Sequence, residues 1–234
     1  MSRAIHDEKK RSPLSVLATF VRAALLVTLV GLGLLVLLEN VTMGNALGAL
    51  GSRNPRVGIV AGHWQHDSGA VCADGLEEVE LNLQIARAVA LIMRKHGYNV
   101  QVLPEFSPEL NGYQAAVFLS IHCDSCTQDL SGFKIARMTH SARPEEEDKL
   151  VNTLYRTYSE ATGLQPHYDT ITEDMRQYHA LRQIAAETPG AIIECGFMGG
   201  DRHLLTEEQD RVAVGIANGL LTFLRETSED TPQS

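Results

Sequence analysis

The sequence predicts an α/β protein: a twisted, mostly parallel sheet flanked by helices on both faces, preceded by one N-terminal transmembrane helix. Short apolar runs alternate with longer segments whose apolar residues recur every three to four positions. Strands that alternate with helices in this way form mostly parallel sheets covered on both faces. A separate apolar stretch near the N-terminus, residues 14–38, is long enough to cross a bilayer as a helix.

This N-terminal stretch, residues 14–38, is predicted to be an uncleaved membrane anchor. Basic residues cluster in the arm before it, residues 1–13, and the positive-inside rule places that arm in the cytoplasm. A buried core helix is disfavoured because the stretch has no amphipathic stripe. A cleaved signal peptide remains the alternative, with small residues around Ala46 as the cleavage region, although such apolar regions usually span about 7–15 residues. We therefore expect a single-pass cell-membrane location with the folded domain outside the cytoplasm.

The folded domain is predicted to span residues 56–226, between a linker (39–55) rich in small residues and a flexible polar tail (227–234). Apolar runs predict strands at residues 56–61, 98–103, 115–121, 132–138 and 191–194. Helical periodicity predicts helices at residues 78–96, 144–162, 175–187 and 206–225. The first two helices are followed by glycine, a typical C-cap residue, and a proline follows the third.

The composition disfavours nucleic acid as a partner. The chain has a net charge of -9; the N-terminal arm is basic, and acidic residues outnumber basic ones in the rest of the chain. Nucleic-acid binding needs clustered lysine and arginine, so we expect no such partner.

Four cysteines are present, of which Cys123 and Cys126 form a lone C-x-x-C motif. The motif is compatible with half a zinc site, a redox pair or a disulfide. Cys72 and Cys195 do not supply the spacing of a second zinc-binding pair. A disulfide is possible in an oxidising compartment. Whether Cys123 and Cys126 form a disulfide or remain packed thiols stays open at this point.

Polar residues follow several of the predicted strands. His63 follows the first strand, His122 the central one and Glu194 ends the last, while Glu78 begins the first helix. Ligands in such sheets bind beyond the carboxyl ends of the strands. Imidazole and carboxylate groups suit a catalytic zinc with an open position for water, and a further carboxylate can transfer protons. A single histidine at a strand end is more often structural, so the pattern alone leaves that alternative open.

Four sequence blocks occur in order over residues 57–224. They are GHWQHDSGAVCADGLEEVELN, SIHCDS, GFKIA and ECGFM. In this order they resemble the zinc-dependent N-acetylmuramoyl-L-alanine amidase family, whose pattern contains Gly-Leu-x-Glu, Ser-Ile-His-x-(Asp/Asn)-Ser and a late Glu-x-Gly-Phe. The resemblance extends over essentially the whole predicted domain, and it implies the α/β fold expected above.

The resemblance also implies the site residues and the reaction. His63, Glu78 and His122 match the Zn²⁺ ligands, and Glu194 matches the catalytic glutamate. The expected substrate is peptidoglycan, cut at the amide between N-acetylmuramic acid and L-alanine during cell-wall remodelling; protein regulators remain unknown. Glu77 is the rival of Glu78, but the Gly-Leu-x-Glu spacing favours Glu78.

The sequence departs from the family pattern in two places. Val60 and Ala61 replace the usual Asp-Pro before Gly-His, so the residues that support the metal ligands are expected to differ. The loop at residues 104–113 lacks the usual arginines, so substrate contacts there must differ as well. His66 is a second candidate ligand. Arg176, Tyr178 and His179 are candidates to contact substrate or a transition-state oxyanion, although ordinary helix packing is the simpler expectation.

Two other functions compete with the amidase. A different exported zinc peptidase, such as a carboxypeptidase, would need an arginine for the substrate's terminal carboxylate, and Arg137 and Arg176 are the candidates. A non-catalytic wall-binding domain would be favoured if a ligand or the late glutamate were missing, but all four residues are present.

Overall fold

The computed structural model describes residues 54–229 of the 234-residue chain. Its centre is a five-stranded sheet of order β2-β1-β3-β5-β4. The strands are β1 (Arg56–Ala61), β2 (Asn99–Leu103), β3 (Val117–Asp124), β4 (Lys134–Ala136) and β5 (Gly190–Phe197). β1, β2, β3 and β5 run parallel, and β4 pairs antiparallel with β5 at one edge. The prediction of a mostly parallel sheet is confirmed.

Helices cover both faces of this sheet, but unequally. In the described residues they are α1 (Glu78–Lys95), α2 (Pro144–Thr162), α3 (Glu173–Arg176), α4 (His179–Gln183), α5 (Arg202–Thr206) and α6 (Gln209–Glu229). The long helices α1, α2 and α6 pack together with one face of the sheet, where Leu119 and Ile121 of β3 are buried. Phe118 points to the other face, which the short helices α3 and α4 cover. This alternation along β3 follows from the two-residue repeat of a strand.

The structure differs from the predicted elements at several places; β5, for example, continues three residues beyond its predicted end at residue 194. β3 continues to Asp124, three residues beyond its predicted end, so His122 lies within the strand. The helix predicted at residues 175–187 is replaced by α3 and α4, because Tyr178 between them has extended backbone (φ -55°, ψ 132°). α6 continues to Glu229, three residues into the predicted tail.

The predicted membrane anchor, residues 14–38, lies outside the described residues, as does the basic arm before it. Between residues 54 and 229, no helix is both long enough and apolar enough to cross a bilayer. The long helices α1, α2 and α6 are amphipathic, and each carries charged residues along its sequence. This finding contradicts the predicted single-pass membrane location, which we withdraw.

The disulfide of the domain is formed by Cys72 and Cys126, which joins the loop before α1 to the loop after β3. Cys123 and Cys195 are free and buried. A local disulfide within the C-x-x-C motif is therefore ruled out. The physical reason is the extension of β3: Cys123 lies in the strand and points into the core beneath the long helices, whereas Cys126 lies past the strand's end and faces Cys72.

Candidate metal centre

The carboxyl ends of β1, β3 and β5 meet at one edge of the sheet and bring the predicted site residues together. His63 follows β1, His122 lies in β3, and Glu78 is the first residue of α1. One ligand atom from each of these three residues lies within 4.8 Å of the other two. Glu194 of β5 is the direct partner of His122 in the β3–β5 register. All four residues predicted from the sequence therefore lie at one place.

Glu78 occupies the centre of this cluster. Its Oε1 lies 3.1 Å from His122 Nδ1, and its Oε2 lies 3.3 Å from His63 Nε2. Asn82, one turn further along α1, donates from Nδ2 to Glu78 Oε1 at 3.0 Å and to the carbonyl oxygen of Gly62 at 3.2 Å. Burial opposes ionisation of Glu78, but hydrogen bonds from His122 and His63 outweigh it and hold the carboxyl pKa well below its usual range. The carboxylate is therefore charged and fixed in place.

The two histidines are positioned by tight backbone packing. A Cβ atom on Gly62 would collide with the ring of His122, so only glycine fits before His63. His63 itself has φ 65°, in the left-handed region that few non-glycine residues adopt. Its Nδ1 lies 2.5 Å from Asp67 Oδ1, which orients the ring with Nε2 towards Glu78. Asp67 thus supplies a carboxylate to this imidazole.

The acids around the imidazoles favour protonation of both rings when no metal is bound. The hydrogen bond with Glu78 is the largest cause for His63, and with Asp67 it outweighs burial and raises the pKa of His63 to about 9. Burial acts against protonation of His122, but Glu78, Glu194 and Glu105 outweigh it and raise the pKa of that ring as well. A divalent cation at this point would replace the protons as the partner of the carboxylates.

The donor set fits a metal ion. Two imidazoles and one carboxylate converge from three different parts of the chain. Asn82 hydrogen-bonds Glu78 and Asp67 hydrogen-bonds His63, so two of these donors are held in place. Structural support of this kind is typical of metal ligands, whose other ring or carboxylate atoms are usually hydrogen-bonded. The cluster is therefore a possible site for a metal that accepts nitrogen and oxygen ligands.

Glu194 lies beside this cluster with a carboxyl group of unusual pKa. Its Oε2 is buried and has no hydrogen-bond partner among the described residues. Burial is the largest cause that raises the pKa of Glu194 to about 7, and Glu78 and Asp124 add to it, while His122 and Lys134 act in the opposite direction. A carboxyl group that titrates near neutral pH can both accept and donate a proton during a reaction.

Glu105 is a further acid of the site, and no sequence motif points to it. It follows β2 and is 5% exposed. Its Oε2 accepts a hydrogen bond from the backbone N–H of His63 at 2.8 Å, and its Oε1 accepts one from the Tyr178 hydroxyl at 2.6 Å. His179 Nε2 lies 2.7 Å from the same Oε1. The arginine-free loop thus contributes a carboxylate to the site.

The rival residues lie outside the metal cluster. Glu77 occupies the N-cap position of α1 and makes no side-chain capping bond. His66 is exposed, contacts Asp67 through Nε2 at 3.4 Å and packs edge-on against Phe106. Within residues 176–179, the Tyr178 hydroxyl lies 3.1 Å from His122 Nε2. The geometry therefore favours Glu78 over Glu77 and brings Tyr178 into the site.

Comparison with known proteins identifies the family and agrees with the fold. A family model described as N-acetylmuramoyl-L-alanine amidase matches residues 57–222. No curated protein matches the chain. Among solved structures, the catalytic domain of CwlV, an N-acetylmuramoyl-L-alanine amidase from Bacillus (Paenibacillus) polymyxa var. colistinus, is 25% identical, with a TM-score of 0.55 over 73% of this chain and 98% of that one.

Two further structures are similar. The N-acetylmuramoyl-L-alanine amidase AmiC2 of Nostoc punctiforme is 26% identical, with a TM-score of 0.54 over 73% of this chain and 97% of that one. An N-acetylmuramoyl-L-alanine amidase from Clostridium difficile 630 is 23% identical and supports the fold alone, with a TM-score of 0.59 over 74% of this chain and 98% of that one.

Proposed function

Because the chain belongs to the N-acetylmuramoyl-L-alanine amidase family, we propose that it hydrolyses the amide between N-acetylmuramic acid and L-alanine in peptidoglycan, as part of cell-wall remodelling. His63, Glu78 and His122 hold Zn²⁺ in this proposal, and Glu194 is the general base. The main support for this proposal is that the three ligand atoms converge beside Glu194, whose carboxyl pKa is raised.

The proposed reaction assigns a task to each residue. Bound by His63, Glu78 and His122, Zn²⁺ would supply the Lewis acidity that polarises the scissile carbonyl and makes the attacking water more acidic. Glu194 removes the proton from that water and passes it to the departing nitrogen of L-alanine. In the metal-free protein, burial raises the pKa of Glu194, which makes its carboxylate a stronger base than an exposed one. Asn82 and Asp67 keep Glu78 and His63 in position.

The proposed reaction is tested by product analysis. The zinc-loaded protein is incubated with purified peptidoglycan, and the soluble products are identified by mass spectrometry. Release of stem peptides that begin with a free L-alanine amino group is the expected result. Trimming of stems from their carboxyl ends would instead indicate a carboxypeptidase, and binding without any release would indicate a wall-binding domain.

The assigned roles are tested by glutamine variants. Glu194→Gln is expected to retain zinc and to lose about 10²–10⁴-fold in rate, which is the usual contribution of general acid–base catalysis. Glu78→Gln is expected to lose zinc, whereas the control Glu77→Gln keeps both zinc and activity because Glu77 lies outside the cluster. Metal content is measured by atomic emission and rate by stem release. Full activity of Glu194→Gln would refute the role of general base.

A further inference from the structure

Phe106 is an exposed aromatic residue of the arginine-free loop, and the residues on either side of it are buried. Phe106 is 54% exposed, whereas Glu105 and Ser107 are 5% and 6% exposed. Large apolar side chains usually face the interior and polar ones face solvent, so these three residues reverse the common arrangement. A single exposed apolar side chain is ordinary by itself. Phe106 differs because its ring is held in place beside the site.

Two histidines fix the ring of Phe106. One face stacks on the ring of His179, with the centroids 4.2 Å apart and the planes 19° apart. The ring of His66 packs edge-on against it, with the centroids 4.5 Å apart. The loop backbone is anchored as well, because the Glu105 N–H donates to the carbonyl oxygen of Trp64 at 3.1 Å. Since more than half of Phe106 is exposed, the face away from His179 is open in the described part of the chain.

A short series of contacts joins Phe106 to the metal cluster on the side of His122. His179, on which the ring stacks, has its Nε2 2.7 Å from Glu105 Oε1. The other oxygen of the same carboxylate, Oε2, lies 3.6 Å from His122 Nε2. With ordinary bond lengths for the groups between, the centre of the Phe106 ring is at most about 14 Å from His122 Nε2.

A second series of contacts reaches the cluster on the side of His63. His66, which packs against the Phe106 ring, has its Nε2 3.4 Å from Asp67 Oδ2. Asp67 Oδ1 lies 2.5 Å from His63 Nδ1. The same reasoning places the ring centre at most about 14 Å from His63 Nδ1. Phe106 therefore adjoins both ligand histidines, and it follows β2 at the carboxyl edge of the sheet, where ligands bind in such folds.

The substrate of the proposed reaction carries a sugar ring close to the bond that is cut. The lactyl group places the nearest ring carbon three bonds from the scissile carbonyl carbon, which is at most about 4.5 Å. One face of a pyranose presents C–H groups, which pack well on the electron-rich face of an aromatic ring. The carboxylate of Asp67, 52% exposed, lies beside His66 and favours hydroxyl donors over an anionic group. An uncharged sugar ring therefore fits this surface.

Resting on the proposed amidase function, we propose that the open face of Phe106 is a stacking platform for a sugar ring of the glycan. The platform gives the enzyme a preference for stems attached to sugar over stems that carry the lactyl group alone. His66 and His179 hold the Phe106 ring in the orientation that presents this face. If the face instead received an apolar side chain of the stem peptide, both kinds of stem would depend on Phe106 equally.

The test uses the full-length zinc-loaded protein and two soluble substrates with the same stem peptide. One carries the N-acetylglucosamine–N-acetylmuramic acid disaccharide, and the other carries the lactyl group without sugar. The wild type is expected to cleave the disaccharide substrate with a kcat/KM about tenfold higher, the scale of one stacked ring contact. Phe106→Ala should remove this preference by slowing the disaccharide substrate alone, and Phe106→Trp should retain it. Tyr168→Ala is the matched control, because Tyr168 is 60% exposed and contacts the Tyr155 ring at the edge of β4.

Several outcomes overturn the platform. An equal loss on both substrates in Phe106→Ala would show that the ring contacts the peptide or supports the site. An equal effect of Tyr168→Ala would show a general effect of removing an exposed ring. No preference in the wild type would refute sugar recognition while leaving the amidase intact. Calorimetric binding of the free disaccharide provides a readout without catalysis. If the wild type cleaves neither substrate yet binds the disaccharide more tightly than Phe106→Ala does, the proposed reaction fails and the platform stands.

Discussion

At the scale of single residues, Glu105 connects the metal cluster to the segment between α3 and α4. One oxygen accepts from Tyr178 and contacts His179, and the other accepts from the backbone of His63. Burial opposes its ionisation, but hydrogen bonding with His179 and the charge of His122 outweigh it and lower the pKa of Glu105 to about 2. Because the pKa is lowered, the stability from this carboxylate is present above its ordinary value of about 4.5 and is lost as pH falls through about 2.

Glu105→Gln tests this connection. We expect the variant to lose about 10–100-fold in kcat/KM, because glutamine keeps the volume but cannot hold all three donors as a charged acceptor. Glu109→Gln is the matched control: Glu109 lies in the same loop and is exposed, and its hydrogen bond goes to Gln101. Rates are measured on a soluble muramoyl peptide. Equal rates for the two variants would show that Glu105 has no part in positioning the site.

The residues of the site were predictable to the extent that they follow strands or match motifs. His63, His122 and Glu194 lie at or near strand ends, so a simple search of those ends identifies them. The same search applied to β2 would have reached Glu105, two residues after Leu103. The partners of Glu105 could not be read from the sequence, because Tyr178 and His179 are more than 70 residues away and approach only when the sheet and α4 pack.

Proton release on metal binding is a second prediction at this scale. In the metal-free protein, the pKa of His63 is raised to about 9, so the ring is protonated at neutral pH, whereas a metal needs it neutral. The apparent zinc affinity should therefore rise with pH and level off above about 9. The stability that the protonated ring gives the metal-free fold is complete below about 6.5 and is lost as pH rises through about 9.

A competition titration against a zinc chelator between pH 6.5 and 9.5 measures this dependence. Calorimetry in two buffers of different ionisation enthalpy counts the protons, and roughly one to two per zinc are expected. The titration curve of the chelator alone, measured at each pH, is the control. A zinc affinity that does not change between pH 7 and 9 would contradict protonation of His63 in the metal-free protein.

At the scale of secondary structure, the elements that matched their predictions carry strong local signals. α2 begins and ends as predicted, since Pro144 begins it and Gly163 caps it with φ 81°. The break at Tyr178 has no such signal, because it depends on the contacts of the hydroxyl with Glu105 and His122. The disulfide partner of Cys126 also had no local signal in the sequence, because Cys72 is 54 residues away. Cys72 approaches it only through the pairing of β1 with β3.

The Cys72–Cys126 disulfide should stabilise the loops around the site. It closes a segment of 54 residues, for which chain entropy alone suggests about 4 kcal/mol, and measured values are often smaller. We expect the double variant Cys72→Ala/Cys126→Ala to lose about 2–4 kcal/mol in free energy of unfolding, measured by urea denaturation. Reduction of the wild type should have the same effect and leave the double variant unchanged. Equal stability of the reduced and oxidised wild type would refute the contribution.

At the scale of the whole molecule, the described residues contain two hydrophobic clusters of their own. Both hydrophobic clusters draw their buried members from between Val57 and Leu224, and the family model matches residues 57–222. We propose that residues 56–226 form the catalytic domain, with residues 39–55 as a linker. A chain of residues 54–234 should then fold, bind zinc and cleave a soluble muramoyl peptide with the kcat/KM of the full-length protein.

Thermal unfolding, zinc content and kinetics of the two proteins test this independence. The fragment should unfold in one cooperative transition at the same temperature as the corresponding transition of the full chain, because no buried side chain of either cluster is removed. A second fragment that begins at residue 62 is the control. It lacks β1, which pairs with both β2 and β3, and should not fold. If the longer fragment also failed to fold, residues before 54 would have to contribute to the domain, since β1, the site and both clusters remain intact in it.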